Sequence, residues 1–528
     1  MRDKHNQFNA LHSPMRRRIL QAALAAGGLT LAHRFAIAQS STALYALPRY
    51  ALVIGNSSYV SAPLANPAND AKAIANELKA SGFEVNLQLD TTRQTMLNAI
   101  DAYTKLLAAR QAVGLFYFAG HGMQLAWRNY LLPIDAKIDT LNDVPTRCVE
   151  LSTLLQGITQ ARNPMNVIIL DACRDNPFGK ALPTGKKGLS QFDAPPGSLL
   201  AYATAPGNTA SDGAGANSLY TENLLRELKV RNAKIEDVFK RVRLEVRRRS
   251  EGQQVPWEST SLEEDFYFWP PQAVKQLTEE ANTKQFEEEL AIWERIKTSS
   301  APAQLEDYLR RYPSGLFSEI AQLRLDQILA QGGERKIQIT SSSHNPYSKG
   351  TMRVDTRFKL GERYGYRQID LTTNLEMRKF TLTVTSINET QVIFNDGSYI
   401  SDLIGNPIKL SDGTRYTDAQ HQIAEYSLGK RWTARHRLTR PSGSTFDSVI
   451  DYKVVAKESV TLPAGTYDAF RVEGSGWSQS EKHSVHTSNL FWIAPEIRRY
   501  VAFDTRKKLA SGKLLSYERY ELTSYTQG

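Results

Sequence analysis

From residue 50 to about 270 the apolar positions alternate between two periods. Residues 50–54 form a short apolar run, which predicts a strand. Residues 70–81 put Ala71, Ile74, Ala75 and Leu78 on one face, which predicts a helix. Residues 83–89 alternate as a strand, and 92–109 carry Leu97, Ile100, Tyr103, Leu106 and Leu107 at helical spacing. A continuous apolar run from Gly114 to Gly120 leads into His121-Gly122, and a second, from Asn166 to Leu170, leads into Asp171-Ala172-Cys173. Such runs, bounded by turn residues, belong to strands buried on both faces of a parallel sheet. A helix over 152–160 separates them, a strand over 198–204 follows, and helices over 218–229 and 235–249 close the series. This order specifies an α/β domain over 46–270: a mostly parallel sheet with helices on both faces.

The period then changes twice. Residues 272–331 read as wholly helical, with Phe286, Leu290, Trp293 and Ile296 on one face and Leu305, Tyr308, Leu309, Leu323, Leu325 and Ile328 continuing it. The pattern resembles one or two tetratricopeptide-type hairpins, too few for a free-standing solenoid, so a docked spacer is expected. From 336 to 528 the chain is β-rich. Runs at 381–385 and 391–394 flank Asn388-Glu389, and runs at 459–462 and 470–473 flank Pro463-Ala464-Gly465-Thr466. Runs at 491–493, 500–503 and 514–522 extend the series, which predicts an all-β domain, an antiparallel barrel or curved sheet.

Length and composition fit this division. A chain of 528 residues exceeds what one core organises, and 41% hydrophobic with 23% charged residues excludes a disordered chain. The net charge is +10, but residues 1–38 hold six Arg and Lys against one Asp, about half of that excess. Those residues read as a targeting segment: Arg16-Arg17-Arg18, a weakly apolar stretch from Ala22 to Leu31, then Ala36-Ile37-Ala38. They resemble a bacterial twin-arginine signal, which implies export to the periplasm; a general secretory signal or an uncleaved anchor is the alternative. No transmembrane span is expected in the mature chain. The remainder is only mildly basic, so no nucleic-acid partner is expected. Lys240, Arg241, Arg243, Arg247, Arg248 and Arg249 read as a solvated helix end rather than a binding patch. There is no phosphate-binding glycine loop and no HExxH, and His483 and His486 read as exposed polar residues rather than metal ligands.

The candidate chemistry lies at the two strand ends. Open α/β sheets place their sites beyond the carboxyl ends of the strands, so His121 and Cys173 would meet there as base and nucleophile. His121 is the only histidine between His33 and His344. The Gly122 and Cys173 amides are the candidate donors to a tetrahedral oxyanion. The bland alternative is a histidine at a strand end and a buried thiol. Cys148 is expected to pack as a small hydrophobe, because a disulfide to Cys173 would consume the nucleophile.

Tyr117-Phe118-Ala119-Gly120-His121-Gly122 together with Asp171-Ala172-Cys173-Arg174 resembles the caspase-like cysteine peptidases, in the bacterial branch near metacaspases and paracaspases. His121 precedes Cys173 by 52 residues, against about 50 in the caspase signature. The resemblance runs from Arg49 to about Phe268, taking in Ala51-Leu52-Val53-Ile54-Gly55-Asn56 and Pro256-Trp257-Glu258. It implies a Cys–His endopeptidase acting on proteins or peptides.

True caspases carry glutamine two residues before the nucleophile, where this chain has Asp171. In metacaspases and paracaspases an acid there lines the specificity pocket, and a second acid from the helix after the first strand matches Asp70. Asp212 is a third candidate. Two carboxylates favour a guanidinium or ammonium group, so cleavage after Arg or Lys is expected. As alternatives, Asp171 would cap a strand end and Asp70 would cap a helix. The loop over 176–196 offers Lys180, Lys186 and Lys187 as self-processing sites. Some metacaspases bind calcium, but no acidic cluster accompanies Asp175 and Asp193, so no cofactor is expected. The competing function is a caspase-like scaffold whose β domain, distantly similar to β-rich envelope modules of bacteria, contacts an envelope partner.

Overall fold

The computed structural model of the protein describes residues 44, 46–173, 189–205, 215–269, 279–334, 348, 350–480 and 483–528. The expected targeting segment lies outside them.

The α/β domain follows the alternation of the sequence. Strands β1 (Arg49–Gly55), β2 (Glu84–Leu89), β3 (Val113–Leu125), β6 (Met165–Cys173) and β7 (Ser198–Tyr202) pair in parallel in the order β2-β1-β3-β6-β7. An antiparallel edge strand, β8 (Trp257–Thr260), completes the row. Strand period 2 divides the side chains of the sheet between two cores. Leu115, Tyr117 and Ala119 of β3 pack with Ala71, Ile74 and Leu78 of α1 (Pro67–Ala80). The same core takes in Leu224 of α4 (Leu219–Leu228) and Val238 and Val242 of α5 (Ile235–Arg249). On the opposite face Phe116 and Phe118 pack with Met96 and Ile100 of α2 (Arg93–Arg110) and Leu154 and Ile158 of α3 (Leu151–Ala161).

Three features depart from the sequence-based expectation. Helix α1 begins at Pro67 with Asn66 at its cap, three residues early, because proline is suited to the first helical turn. Strand β3 does not stop at His121 but runs to Leu125, forming a hairpin with β4 (Arg128–Leu131), which also pairs β5 (Val149–Glu150). The basic residues of α5 are only partly a solvated helix end: Arg248 and Arg249 are exposed, but all six find partners. Arg241 pairs with Glu227 at 2.7 Å, Arg243 with Glu258 at 2.9 Å, Arg248 with Glu245 at 2.6 Å and Arg249 with Glu222 at 2.7 Å. Arg247 reaches Asp326 at 2.6 Å and Glu334 at 2.8 Å, and Lys240 reaches Ser314 at 2.8 Å.

Those last contacts dock the helical segment, α6 (Glu279–Ile296), α7 (Pro302–Arg311) and α8 (Ser318–Gln331). Its core is aromatic: Trp293 stacks on Phe317 with centroids 5.6 Å apart and planes 10° from parallel. On its other side Arg324 pairs with Glu389 at 2.9 Å, and the Trp293 indole donates to Asp418, so the segment joins the α/β domain to the β domain.

The β domain is a closed antiparallel barrel of twelve strands, from Arg363–Asp370 to Leu514–Thr526, which pair with each other to seal it. Along Thr445–Leu462, Phe446, Ile450, Tyr452 and Val454 are buried while Asp447 and Asp451 are exposed. The apolar face therefore points inward, the reverse of a lipid-facing barrel. Among the described residues no helix is long and apolar enough to cross a membrane.

Candidate active site

The parallel register brings the two strand ends together. Strands β3 and β6 pair from Val113 opposite Met165 to His121 opposite Cys173, so these two residues are lateral neighbours. Gly120, at φ +152°, adopts a backbone conformation that L side chains rarely enter, and a Cβ there would lie 2.5 Å from the Tyr59 hydroxyl. This glycine falls one residue before the last β3–β6 pair, where β3 passes on into its hairpin with β4. The Leu132 N–H then donates to the His121 carbonyl at 3.0 Å, which makes the Gly122–Leu131 pair a non-hydrogen-bonded one. The Gly122 N–H is thus not spent on β4.

The imidazole is fixed on one side. His121 Nε2 lies 2.7 Å from the Ala62 carbonyl, which can only accept, so Nε2 carries the hydrogen and the neutral ring keeps its lone pair on Nδ1. The Tyr59 ring packs against it with centroids 4.5 Å apart. The Tyr59 hydroxyl accepts from the His121 N–H at 2.9 Å and donates to the Leu132 carbonyl at 3.0 Å. Asp90 in turn holds the loop that carries Tyr59 and Ala62, accepting from the Ser57 and Ser58 amides at 2.7 and 2.8 Å and from the Ser58 hydroxyl at 2.7 Å. Partial burial opposes ionisation of Asp90, but these donors outweigh it and hold its carboxyl below the usual range.

Two carboxylates converge beside the strand end. Asp171 stands two residues before Cys173 on β6, and Asp70 comes from the first turn of α1; they are 7% and 1% exposed. Ser218, the N-cap of α4, lies between them. Its hydroxyl donates to Asp171 at 2.6 Å and its N–H donates to Asp70 at 3.1 Å. Thr221 adds a hydroxyl to Asp171 at 2.7 Å, and Asn217 adds an amide to Asp70 at 2.8 Å. All these donors are neutral, and no cation pairs with Asp70 among the described residues. Burial first, and then the charge of Asp171, push the Asp70 carboxyl up to about 7. Chemically this is a buried pair of acids, bridged by the N-cap serine of α4.

The remaining sequence candidates fall as follows. The backbone of Cys173 ends β6, whereas Lys180, Lys186, Lys187, Asp175 and Asp212 lie outside the described residues. Asp70 is not a helix cap, since Asn66 holds that position, and Asp171 bonds across to α4 rather than capping its own strand. Cys148 is a free, buried thiol pushed up to about 12 by desolvation. Asp193 accepts from the Gly350 N–H at 2.6 Å. His486 packs beside Trp477, and no cluster of three metal-type side chains occurs among the described residues. Sequence reasoning missed Tyr59, the Ala62 carbonyl, Asn217, Ser218 and Thr221. Only Ser218 carried a signal, as the polar residue opening a predicted helix.

Comparisons with known proteins bear on the α/β part and on the barrel. The family model described as "Caspase domain" matches residues 48–267, and a second, "DUF3108-like", matches residues 398–515 within the barrel. The mucosa-associated lymphoid tissue lymphoma translocation protein 1 of Homo sapiens and its homolog of Mus musculus are each 30% identical over 164 residues. That stretch is 31% of this chain and 19% of either relative, so the chain spans about a fifth of the curated relatives it matches. The crystal structure of caspase-1 from Spodoptera frugiperda aligns with 17% identity over 43% of this chain and 93% of that one, at a TM-score of 0.33. The α/β part of this chain, residues 48–267, is thus similar to a caspase domain, and here it is followed by a helical segment and a β-barrel.

Proposed function

We propose that the protein is an exported cysteine endopeptidase that cleaves after Arg or Lys. The observation that carries this reading is the meeting of Asp70 and Asp171 at Ser218, beside the strand end that bears Cys173. A buried pair of carboxylates disfavours an acidic side chain and complements a guanidinium, whose planar fork serves two carboxylates at once. The pairing of His121 with Cys173 across β3 and β6 supports the following chemistry. His121 Nδ1 takes the thiol proton, the Cys173 sulfur adds to the scissile carbonyl, and the Gly122 and Cys173 amides receive the developing oxyanion. The imidazolium then protonates the leaving amine, and water attacking the thioester with His121 as base releases the acid and the free thiol. Keeping its hydrogen bond to Ala62, the ring need not turn over between steps. Export rests on Arg16-Arg17-Arg18 and Ala36-Ile37-Ala38, and self-processing on Lys180, Lys186 or Lys187 after the nucleophile.

A fluorogenic peptide series differing only at the residue before the cleaved bond tests the activity. Turnover of the Arg and Lys members by wild type and none by Cys173→Ala is expected; preference for Asp, or equal rates in both proteins, refutes it. N-terminal sequencing of periplasmic material from both proteins tests the rest. A start after residue 38 supports export, and a second start after one of the three lysines in wild type only supports self-processing.

A further inference from the structure

The described chain resumes at Leu189, and its first two residues are fastened to the reactive strand ends. Leu189 is fully buried, in a cluster with Leu131, Leu170, Ala172 and Phe192. A Cβ placed on Gly122 would lie 2.9 Å from the Ala172 Cβ and 3.2 Å from Leu189 Cδ2. Leu189 therefore packs against the immediate neighbours of both His121 and Cys173. What holds it there is Asn129 of β4, itself fully buried. Its side-chain oxygen accepts from the Ser190 N–H at 2.7 Å, and its amide donates to the Ser190 carbonyl at 2.8 Å. The Ser190 hydroxyl donates to the Trp127 carbonyl at 2.6 Å. Trp127 and Ala126 form the two-residue β3–β4 turn at φ +69° and +47°, values a hairpin of this type usually gives to glycine or asparagine. The hairpin is thus tied down at its strained tip as well as at its middle.

We propose that Asn129 is a positioning residue for His121 and Cys173, acting through Ser190 to seat Leu189 against both strands. Only a carboxamide satisfies a backbone N–H and a backbone carbonyl together in a site closed to water. A carboxylate loses the bond to the carbonyl, and alanine loses both. Because His121 and Asn129 share one continuous hairpin, slackening the clasp moves Gly122 and Ala172, and with them the alignment of thiol and imidazole. This rests on the reading of His121 and Cys173 as a working pair.

The test uses the full chain carrying Asn129→Ala, Leu189→Ala or Ser190→Ala, the last keeping both backbone bonds. Two readouts are taken: kcat and KM on an Arg peptide, and the pH–rate profile of iodoacetamide alkylation at Cys173, followed by mass spectrometry of its peptide. Cys148, buried and pushed up to about 12, does not compete. Asn129→Ala and Leu189→Ala are expected to lower kcat roughly tenfold to a hundredfold with KM nearly unchanged, as a misplaced reacting group does. Both are also expected to move the alkylation profile to higher pH, while Ser190→Ala stays near wild type. Folded variants with wild-type kcat and profile overturn the proposal, as does a fall in thermal stability alone. If Asn129→Ala does not fold, Leu189→Ala decides. Absence of turnover in wild type with a profile that still shifts in the variants fails the peptidase reading and leaves the clasp standing; normal turnover with unmoved variants does the converse.

Discussion

Asp70 is the residue whose environment makes the sharpest demand. Its carboxyl, at 3.8 when free, is pushed up to about 7 by burial and by Asp171, so the folded protein holds a proton there that the unfolded chain releases. Folded protein binds more protons across that interval, so this group's contribution to stability falls as pH rises from about 4 to about 7. Asp70→Asn removes that slope, and thermal melts across the interval read it; an unchanged slope shows that Asp70 is not the group responsible. A bound guanidinium reverses the preference by favouring the ionised form. The KM for an Arg peptide is accordingly expected to rise as pH falls through about 7 in wild type, and to be higher and flat in Asp70→Asn. A KM that follows the same pH curve in both proteins refutes this. Tyr59 is the corresponding residue on the imidazole side. Tyr59→Phe removes one hydroxyl that serves both the His121 N–H and the Leu132 carbonyl; the carbonyl keeps its bond from the Asn56 amide at 3.1 Å, so the cost falls on the His121 N–H. A loss of about 1–3 kcal/mol in denaturant titration is expected; no loss would mean that this N–H finds another acceptor.

At the scale of elements, helix α4 links fold to specificity. Ser218 accepts from the Thr221 N–H at 3.1 Å as an N-cap and donates the same hydroxyl to Asp171. Ser218→Ala is expected to cost about 1 kcal/mol through the cap alone. It is also expected to weaken discrimination for Arg over neutral residues, whereas Ser218→Thr restores both. Loss of stability with specificity intact would confine Ser218 to the cap. The helix itself was legible from its apolar spacing, as were the central strands β1, β3 and β6, whose unbroken apolar runs admit few alternatives. The lateral pairing of positions 121 and 173 was legible for the same reason, since neighbouring parallel strands end at one edge of the sheet. The hairpin beyond His121 was not, because Gly120-His121-Gly122 carries the composition of a turn although the strand runs straight through it to Leu125. Nor was the middle of the barrel. Arg431–Thr439 reads as polar because Arg431 and Thr433 face solvent, and only Ala434 and His436 are buried. The ion pairs of α5 depend on acids far along the chain, Asp326 and Glu334 among them, and no local pattern reports such partners.

At the scale of the whole molecule, the helical segment is one joint between barrel and α/β domain, beside direct contacts such as Asp193 with Gly350 and Thr260 with Ser427. Arg247 is one of its bonds to α5, with Arg310 to Glu245 another: the Arg247 guanidinium contacts Asp326 and Glu334, and its side chain and that of Glu334 are each 13% exposed. Exposed ion pairs contribute about 0–1 kcal/mol and are weakened by salt. A pair shielded on both sides behaves differently, because removing one partner strands the other charges away from water. Arg247→Met keeps the length and apolar stem of the side chain while deleting its charge, so packing against α8 is disturbed little. The variant is expected to lose about 1–3 kcal/mol, as for hydrogen bonds to charged groups, and to lose nearly the same amount at low and high salt. Asp326→Asn, which neutralises the more exposed of the two carboxylates, at 37%, is expected to lose less and to respond to salt. Denaturant titrations of the full chain at two salt concentrations separate these cases. If both variants lose equally and salt abolishes both losses, the contact is an ordinary surface pair, and the aromatic core of the segment, centred on Trp293 and Phe317, is what holds the spacer in place.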